Sequence, residues 1–249
     1  MNVQPYLNRI NFHSTPEVSK AALFELQHRH LLHIPFENLD IHYHTPIELD
    51  LQKIYQKIVP SKRGGFCYEL NGLFNELLQA IGFRTFLISA RVHGENGTYS
   101  PEFDHMAIIA TVEGRSYLVD VGFGKFSLEP LEIVLGSPQT DPSGVFMVDR
   151  YDDDYYRVSS QENGNWSPEY IFKLEERQLA DFEPRCAFQQ SSEDSHFTRK
   201  KVISIARPNG RITLNNNTLK IAEGGEVRTV EFEETEFERY LETYFGFVL

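Results

Sequence analysis

The chain has 249 residues, a hydrophobic fraction of 41% and a formal net charge of −12 from 24 basic and 36 acidic side chains. That length can bury a sizeable core as one large domain or two to three small ones, and the acidic balance excludes a nucleic-acid binder, which would present a basic face. Two cysteines make no disulfide framework, no apolar run is long enough to span a bilayer, and Met1-Asn2-Val3-Gln4-Pro5-Tyr6 lacks the basic-then-apolar order of a signal peptide, so a reducing, cytoplasmic setting is expected.

Residues up to about 83 read as helical. Thr15-Pro16-Glu17 supplies a cap with proline at the first helical position, and that helix should stop before Pro35. Pro35-Phe36-Glu37-Asn38 reads as a loop, in which Phe36 either lines an apolar pocket or plugs the core. Asp50 caps a second helix through Ile54, Ile58 and Val59. His28, His30, His33, His42 and His44 lie close in sequence, but no cysteine or spaced carboxylate set accompanies them, which argues against a metal site. No metal is expected. Arg63 and Glu37 read as a buried structural pair.

The third helix carries the most information. In Arg63-Gly64-Gly65-Phe66-Cys67-Tyr68-Glu69-Leu70-Asn71, two glycines precede a cysteine that opens an apolar period at Leu70, Phe74, Leu77, Leu78 and Ile81, closed by Gly82. Cys67 therefore sits at a helix N-terminus, where unpaired N–H groups and the helix dipole favour a thiolate. A nucleophile in that setting calls for a base and a group to orient the base.

Both lie in one hairpin. From Arg84 the period becomes that of strands, first over 85–92. Asp104-His105-Met106-Ala107 begins a second strand that runs to Val112, Glu113-Gly114 is its turn, and Arg115 to Val121 is the return strand. With Val112 opposite Arg115, Ala107 falls opposite Asp120, so His105 and Asp120 are diagonal neighbours on one face, roughly 7–8 Å apart along the backbone. Asp120 can then fix the imidazole tautomer and leave the other ring nitrogen for Cys67. A three-residue bulged loop would break this register. Taken singly, each residue has a structural explanation; an acid within Tyr-Leu-Val-Asp-Val-Gly is the hardest to dismiss without a partner.

Asp152-Asp153-Asp154 and Glu162-Asn163-Gly164-Asn165 mark turns between further short strands. Strands follow at 201–205 and 210–214, and a closing helix runs from about Thr235 through Phe237, Tyr240, Leu241 and Tyr244. Arg199-Lys200-Lys201, Arg207 and Arg211 form the only dense basic stretch in the latter part of the chain and read as a solvated strand edge. Cys186 reads as inert.

The stretches His33-Ile34-Pro35-Phe36-Glu37-Asn38-Leu39-Asp40-Ile41, Arg63 to Asn71, the strand opened by His105, and Tyr117-Leu118-Val119-Asp120-Val121-Gly122-Phe123-Gly124 together resemble the arylamine N-acetyltransferase family, including its bacterial members. The resemblance is specific in the first half of the chain and weaker after about Lys125. It implies an α+β, papain-like cysteine-enzyme fold: a helical bundle over 1–83 carrying the nucleophile, a β-barrel over 84–190 carrying His and Asp, and an α/β lid over 191–249. It further implies a Cys67, His105 and Asp120 triad that moves acetyl from acetyl-CoA to aromatic amines or hydrazines by a ping-pong route, as in xenobiotic metabolism. Phe36, Val92 and Phe123 are the expected substrate-side residues and Gly122 and Gly124 the expected donor-side ones. Neither nucleic acid nor membrane is an expected partner, and a monomer or homodimer is expected. A thiol protease, an amide synthase of the same family and a non-enzymatic binding module are the alternatives; the last leaves the three residues unexplained.

Overall fold

Caps and glycines set the helices of the first third. The computed structural model describes residues 1–247. Helix α1 (Val3–Arg9) is followed by α2 (Lys20–His33), which starts where the Ser19 side chain accepts the Ala22 N–H. The expected cap at Thr15 is thus displaced to Ser19, the residue that satisfies a first-turn donor. The chain continues through β1 (Phe36–Glu37), α3 (Leu39–His42) and α4 (Leu51–Ile58), the last capped by Asp50, which accepts from Gln52 and Lys53. Helix α5 (Cys67–Ile81) stops at Gly82, whose φ of 113° is the left-handed conformation that glycine tolerates. Cys67 through Asn75 of α5 are all buried, so the first two turns of the helix are enclosed on every side and not along one stripe only.

The central sheet has eight antiparallel strands: β2 (Arg84–Val92), β3 (His105–Val112), β4 (Arg115–Val119), β5 (Leu131–Glu132), β6 (Gln139–Asp141), β7 (Gly144–Arg150), β8 (Tyr156–Glu162) and β9 (Asn165–Phe172). Their spatial order is β5-β4-β3-β2-β9-β8-β7-β6. The ends curl towards each other, with Leu135 bridging to Val148 and the Gly136 N–H donating to the Val148 carbonyl at 2.9 Å. This is a nearly closed barrel. Strands stop at Phe172, short of the expected β segment; residues 179–191 are a 3-10 turn and helix α6 (Glu183–Ser191), whose Phe182 and Cys186 pack into the core of the N-terminal helices.

After α7 (His196–Arg199), strands β10 (Val202–Arg207), β11 (Gly210–Asn215), β12 (Thr218–Glu223) and β13 (Glu226–Glu231) form a second sheet, backed by α8 (Phe237–Phe245). Its edge is β1: Phe36 pairs with Ser204 and Glu37 with Ile203. The expected loop at Pro35 is therefore a short strand, clamped further by Asn38, which accepts the Val202 N–H at 2.7 Å and donates to the Phe197 and Lys200 carbonyls.

Candidate active site

Cys67 is held by a buried ionic frame. The Glu69 carboxylate reaches back to the Phe66 N–H at 2.8 Å and is held by Lys57 at 2.8 Å. Lys57 also meets Asp40 at 2.7 Å, Asp40 meets Arg63 at 2.8 Å, and Arg63 meets Glu37 at 2.7 Å. Burial acts against the Lys57 charge, but Glu69, Glu37 and Asp40 outweigh it and hold the ammonium above its usual range. Both ends of the frame fix the loop of residues 63–66 that delivers Cys67 to its helix. Gly64 lies where a Cβ would come 2.3 Å from the Pro35 carbonyl, so this close packing of loop on loop admits only glycine.

The hairpin has the register the spacing predicts. Val112 pairs with Arg115 and Ile108 with Val119, and Glu113 and Gly114 both have positive φ, as a two-residue hairpin turn requires. His105 and Asp120 consequently meet: Nε2 lies 2.7 Å from Oδ2, with side chains 4% and 0% exposed. Asp120 accepts further bonds at both oxygens. Asn71 Nδ2 donates to Oδ1 at 2.9 Å, the Gly122 N–H donates to the same oxygen at 2.9 Å, and the Tyr170 hydroxyl donates to Oδ2 at 3.1 Å. Asn71 also gives a bond to the Met106 carbonyl and takes one from the Val121 N–H. Because Asn71 stands four residues after Cys67, it shares that helix face and ties the helix of Cys67 to the strands of His105 and Asp120. The His105 ring packs in a three-ring cluster with Phe123, 5.1 Å away centre to centre, and Tyr170, 5.4 Å away, which are themselves 5.1 Å apart.

Burial pushes the Cys67 thiol well above its ordinary range; the nearby Cys186, Asp104 and Asp120 add to this, and the Tyr68 backbone N–H works the other way. The expected stabilisation by the helix terminus is therefore outweighed by desolvation. A thiolate here depends on a proton acceptor alongside, and a protonated imidazole is the counter-charge His105 can supply.

A cleft of about 690 Å³ opens on the far side of Phe123. Phe36, Phe123 and Gly124 line it, as do Arg207, Arg211, Lys125 and Lys220, with no Asp or Glu in its described wall. In a chain of net charge −12, this is a local reversal of sign beside the cluster. Phe36 lines the cleft and packs on Phe66 at 5.8 Å between ring centres. Val92 is not among the residues of this wall; it pairs with Tyr170 at the end of β2. Gly122 is also outside it and packs on Cys67, where a Cβ would meet the Cys67 Cα and carbonyl at 2.9 Å. Arg207 and Arg211 face the cleft and are not on a solvated strand edge, whereas Lys201 pairs with Glu234 at 2.9 Å.

A family model described as N-acetyltransferase matches residues 21–249. The chain is 32% identical to arylamine N-acetyltransferase 2 of Mus musculus over 99% of this chain and 94% of that protein. It is 30% identical to the arylamine N-acetyltransferase of Mycolicibacterium smegmatis over 94% of this chain and 86% of that one. The solved structure of the Mycobacterium abscessus arylamine N-acetyltransferase superposes with a TM-score of 0.92 at 28% identity, covering 100% of this chain and 90% of that one. The chain belongs to the arylamine N-acetyltransferase family. It is an acyltransferase with the α+β fold of that family.

Within this arylamine N-acetyltransferase fold, sequence reasoning singled out neither Asn71 nor Tyr170. An asparagine one turn after the cysteine, on the same helix face, was the available signal for Asn71; Tyr170 reaches the site through the pairing of β9 with β2, which no local pattern shows. The clustered histidines disperse into packing. His30 meets the Tyr6 hydroxyl at 2.8 Å, His33 the Arg29 carbonyl at 2.8 Å, and His42 the Asn38 amide. Among the described residues no three His, Cys, Asp or Glu side chains converge as a metal site. Cys186 is buried, and burial pushes its thiol up to about 12. Among those residues, no helix is long and apolar enough to cross a membrane.

Proposed function

We propose that the protein moves an acetyl group from acetyl-CoA to aromatic amines or hydrazines through a thioester on Cys67, with Cys67, His105 and Asp120 as a catalytic triad. The observation that carries this reading is the set of bonds around Asp120: its carboxylate orients His105 from one oxygen and is tied, through Asn71, to the helix of Cys67 from the other.

Asp120 occupies Nε2, so Nδ1 is the ring atom left to take the thiol proton. The thiolate attacks the acetyl carbonyl carbon and the new carbon–sulfur bond forms. Backbone N–H groups of the first turn of α5 face the developing oxyanion. As the tetrahedral species collapses, the CoA sulfur leaves and takes the proton from His105. In the second half the neutral aromatic amine attacks the thioester and His105 accepts its proton. The carbon–nitrogen bond forms, and the Cys67 sulfur leaves and is reprotonated. Aromatic amines are uncharged at pH 7, so Phe123 and Phe36 can line their path without burying an ion. The cations of the cleft suit the phosphates of acetyl-CoA, and a reducing compartment such as the cytoplasm keeps the thiol available.

Initial rates measured over a grid of acetyl-CoA and amine concentrations test the ping-pong order. Parallel double-reciprocal lines are expected. Intersecting lines would mean that both substrates bind before transfer, and activity only with longer acyl thioesters would favour the amide synthase.

A further inference from the structure

The guanidinium of Arg211 joins three parts of the molecule that meet at the cleft. From strand β11 it donates through Nη2 to the Gly124 carbonyl at 2.6 Å, and through Nη1 to the Ser204 hydroxyl at 3.0 Å. Ser204 is braced by Thr213 at 2.9 Å and is the ladder partner of Phe36. Gly124 has a φ of 96° and directly follows Phe123, whose ring lies edge-on to the His105 imidazole at 5.1 Å. One planar, two-pronged donor thus spans the C-terminal sheet and the turn that carries the aromatic wall of His105. Among the described residues no carboxylate pairs with Arg211; its guanidinium is spent on two neutral oxygens. Burial lowers its pKa to about 10, which marks a charge kept in place against a desolvation cost. The Gly124 carbonyl is thus the handle by which the C-terminal sheet acts on this turn, whose Phe123 ring also packs on Phe126 and Tyr170.

We infer that Arg211 is a positioning residue for the transfer reaction: by donating to the Gly124 carbonyl while braced on Ser204, it holds Phe123 against the His105 imidazole. This rests on the triad reading above. It differs from a simple contact between Arg211 and the donor's phosphates, because its effect must persist when the donor has no phosphate. Loss of the guanidinium frees the turn, Phe123 moves off the ring, and the base loses one of the two aromatic walls that fix its orientation. Small misplacements of this kind cost roughly 10- to 100-fold in rate.

The test compares wild type, Arg211→Met and Arg211→Lys by three readouts: acetyl-CoA turnover, p-nitrophenyl acetate turnover, and the rate of Cys67 alkylation by iodoacetamide followed by peptide mass. The expected result for Arg211→Met, with an unchanged unfolding midpoint, is a fall in kcat with the uncharged ester of roughly 10-fold or more, together with slower alkylation. Arg211→Lys, which keeps one donor but cannot span both acceptors, should recover part of each. Wild-type ester turnover and alkylation in Arg211→Met, with only the KM for acetyl-CoA raised, would overturn the inference and make Arg211 an anion contact alone. If Arg211→Met does not fold, Arg211→Lys decides: an intermediate loss supports the inference and wild-type ester kinetics overturn it. Alkylation needs no acetyl transfer, so wild-type protein that alkylates readily yet takes no acetyl from acetyl-CoA would refute the proposed reaction without touching this inference.

Discussion

Two sets of cations flank Cys67, and they are treated in opposite ways. Behind the helix, Arg63 and Lys57 are shared among Glu37, Asp40 and Glu69, three carboxylates that are themselves buried. In front of it, Arg207, Arg211 and Lys220 line a cleft whose described wall has no carboxylate. The first set is closed on itself, with every charge answered from within the chain. The second has no carboxylate in the cleft wall: Arg211 is held by neutral oxygens only, and positive potential is directed at whatever enters. A buried ion pair can be matched by apolar packing and gives little net stability, but removing one member strands its partner. Cations without a carboxylate partner keep their potential for an anionic ligand. The difference separates the frame of the site from the part of it that recognises a donor.

The largest effect should come from the carboxylate that meets His105, which stands apart from both sets of cations. Asp120→Asn keeps the size of the side chain but places an N–H donor where His105 needs an acceptor. By analogy with other triads the acylation rate should fall by about 10⁴-fold, measured as single-turnover acetylation, while the unfolding midpoint shifts little. Next, Arg63→Met strands Glu37, whose side chain is fully buried, and should cost about 3–5 kcal/mol in denaturant unfolding. A cost under about 1 kcal/mol would show that this set is not closed in the sense argued here.

Acid should attack the same half of the molecule. His30 is buried against Tyr6 and Phe74 with Nε2 unpaired, and burial, aided by Arg9 and His33, lowers its pKa to about 3. Above the ordinary imidazole range both folded and unfolded forms are neutral, so His30 has no effect on stability. Below it the unfolded chain binds a proton that the folded one refuses, so stability falls as pH drops from about 6.5 to about 3, at close to 1.4 kcal/mol per unit. Guanidinium unfolding at several pH values should therefore show a shallower acid slope for His30→Gln than for wild type. The smallest effect belongs to the second set: Lys220→Met should raise the KM for acetyl-CoA a few-fold, leave the p-nitrophenyl acetate rate unchanged, and shift stability by no more than about 0.5 kcal/mol. Added salt should raise the same KM in wild type, because exposed charges are screened.

The sequence disclosed what is local and periodic. The third helix, its glycine stop, the Glu113-Gly114 turn and hence the approach of His105 to Asp120 all follow from spacing along a single segment. Three features were not legible for a common reason. Tyr170 reaches Asp120 through β9, which begins 81 residues after β2, β1 pairs with a strand near residue 204, and Arg211 meets the Gly124 carbonyl across 87 residues of chain. Each depends on a non-local contact, to which hydrophobic period is blind. The thiol erred in another way: its place at a helix terminus was read correctly, but the depth of its burial, which decides the sign of its shift, is set by the helices and barrel that enclose α5.

The measurement that bears most directly on the central reading is the intact mass of the protein after mixing with acetyl-CoA alone, beside Cys67→Ala. One acetyl group on wild type and none on the variant, discharged when aniline is added, is the expected result. No acetyl on wild type, with Cys67 still open to iodoacetamide, would contradict a thioester formed from acetyl-CoA.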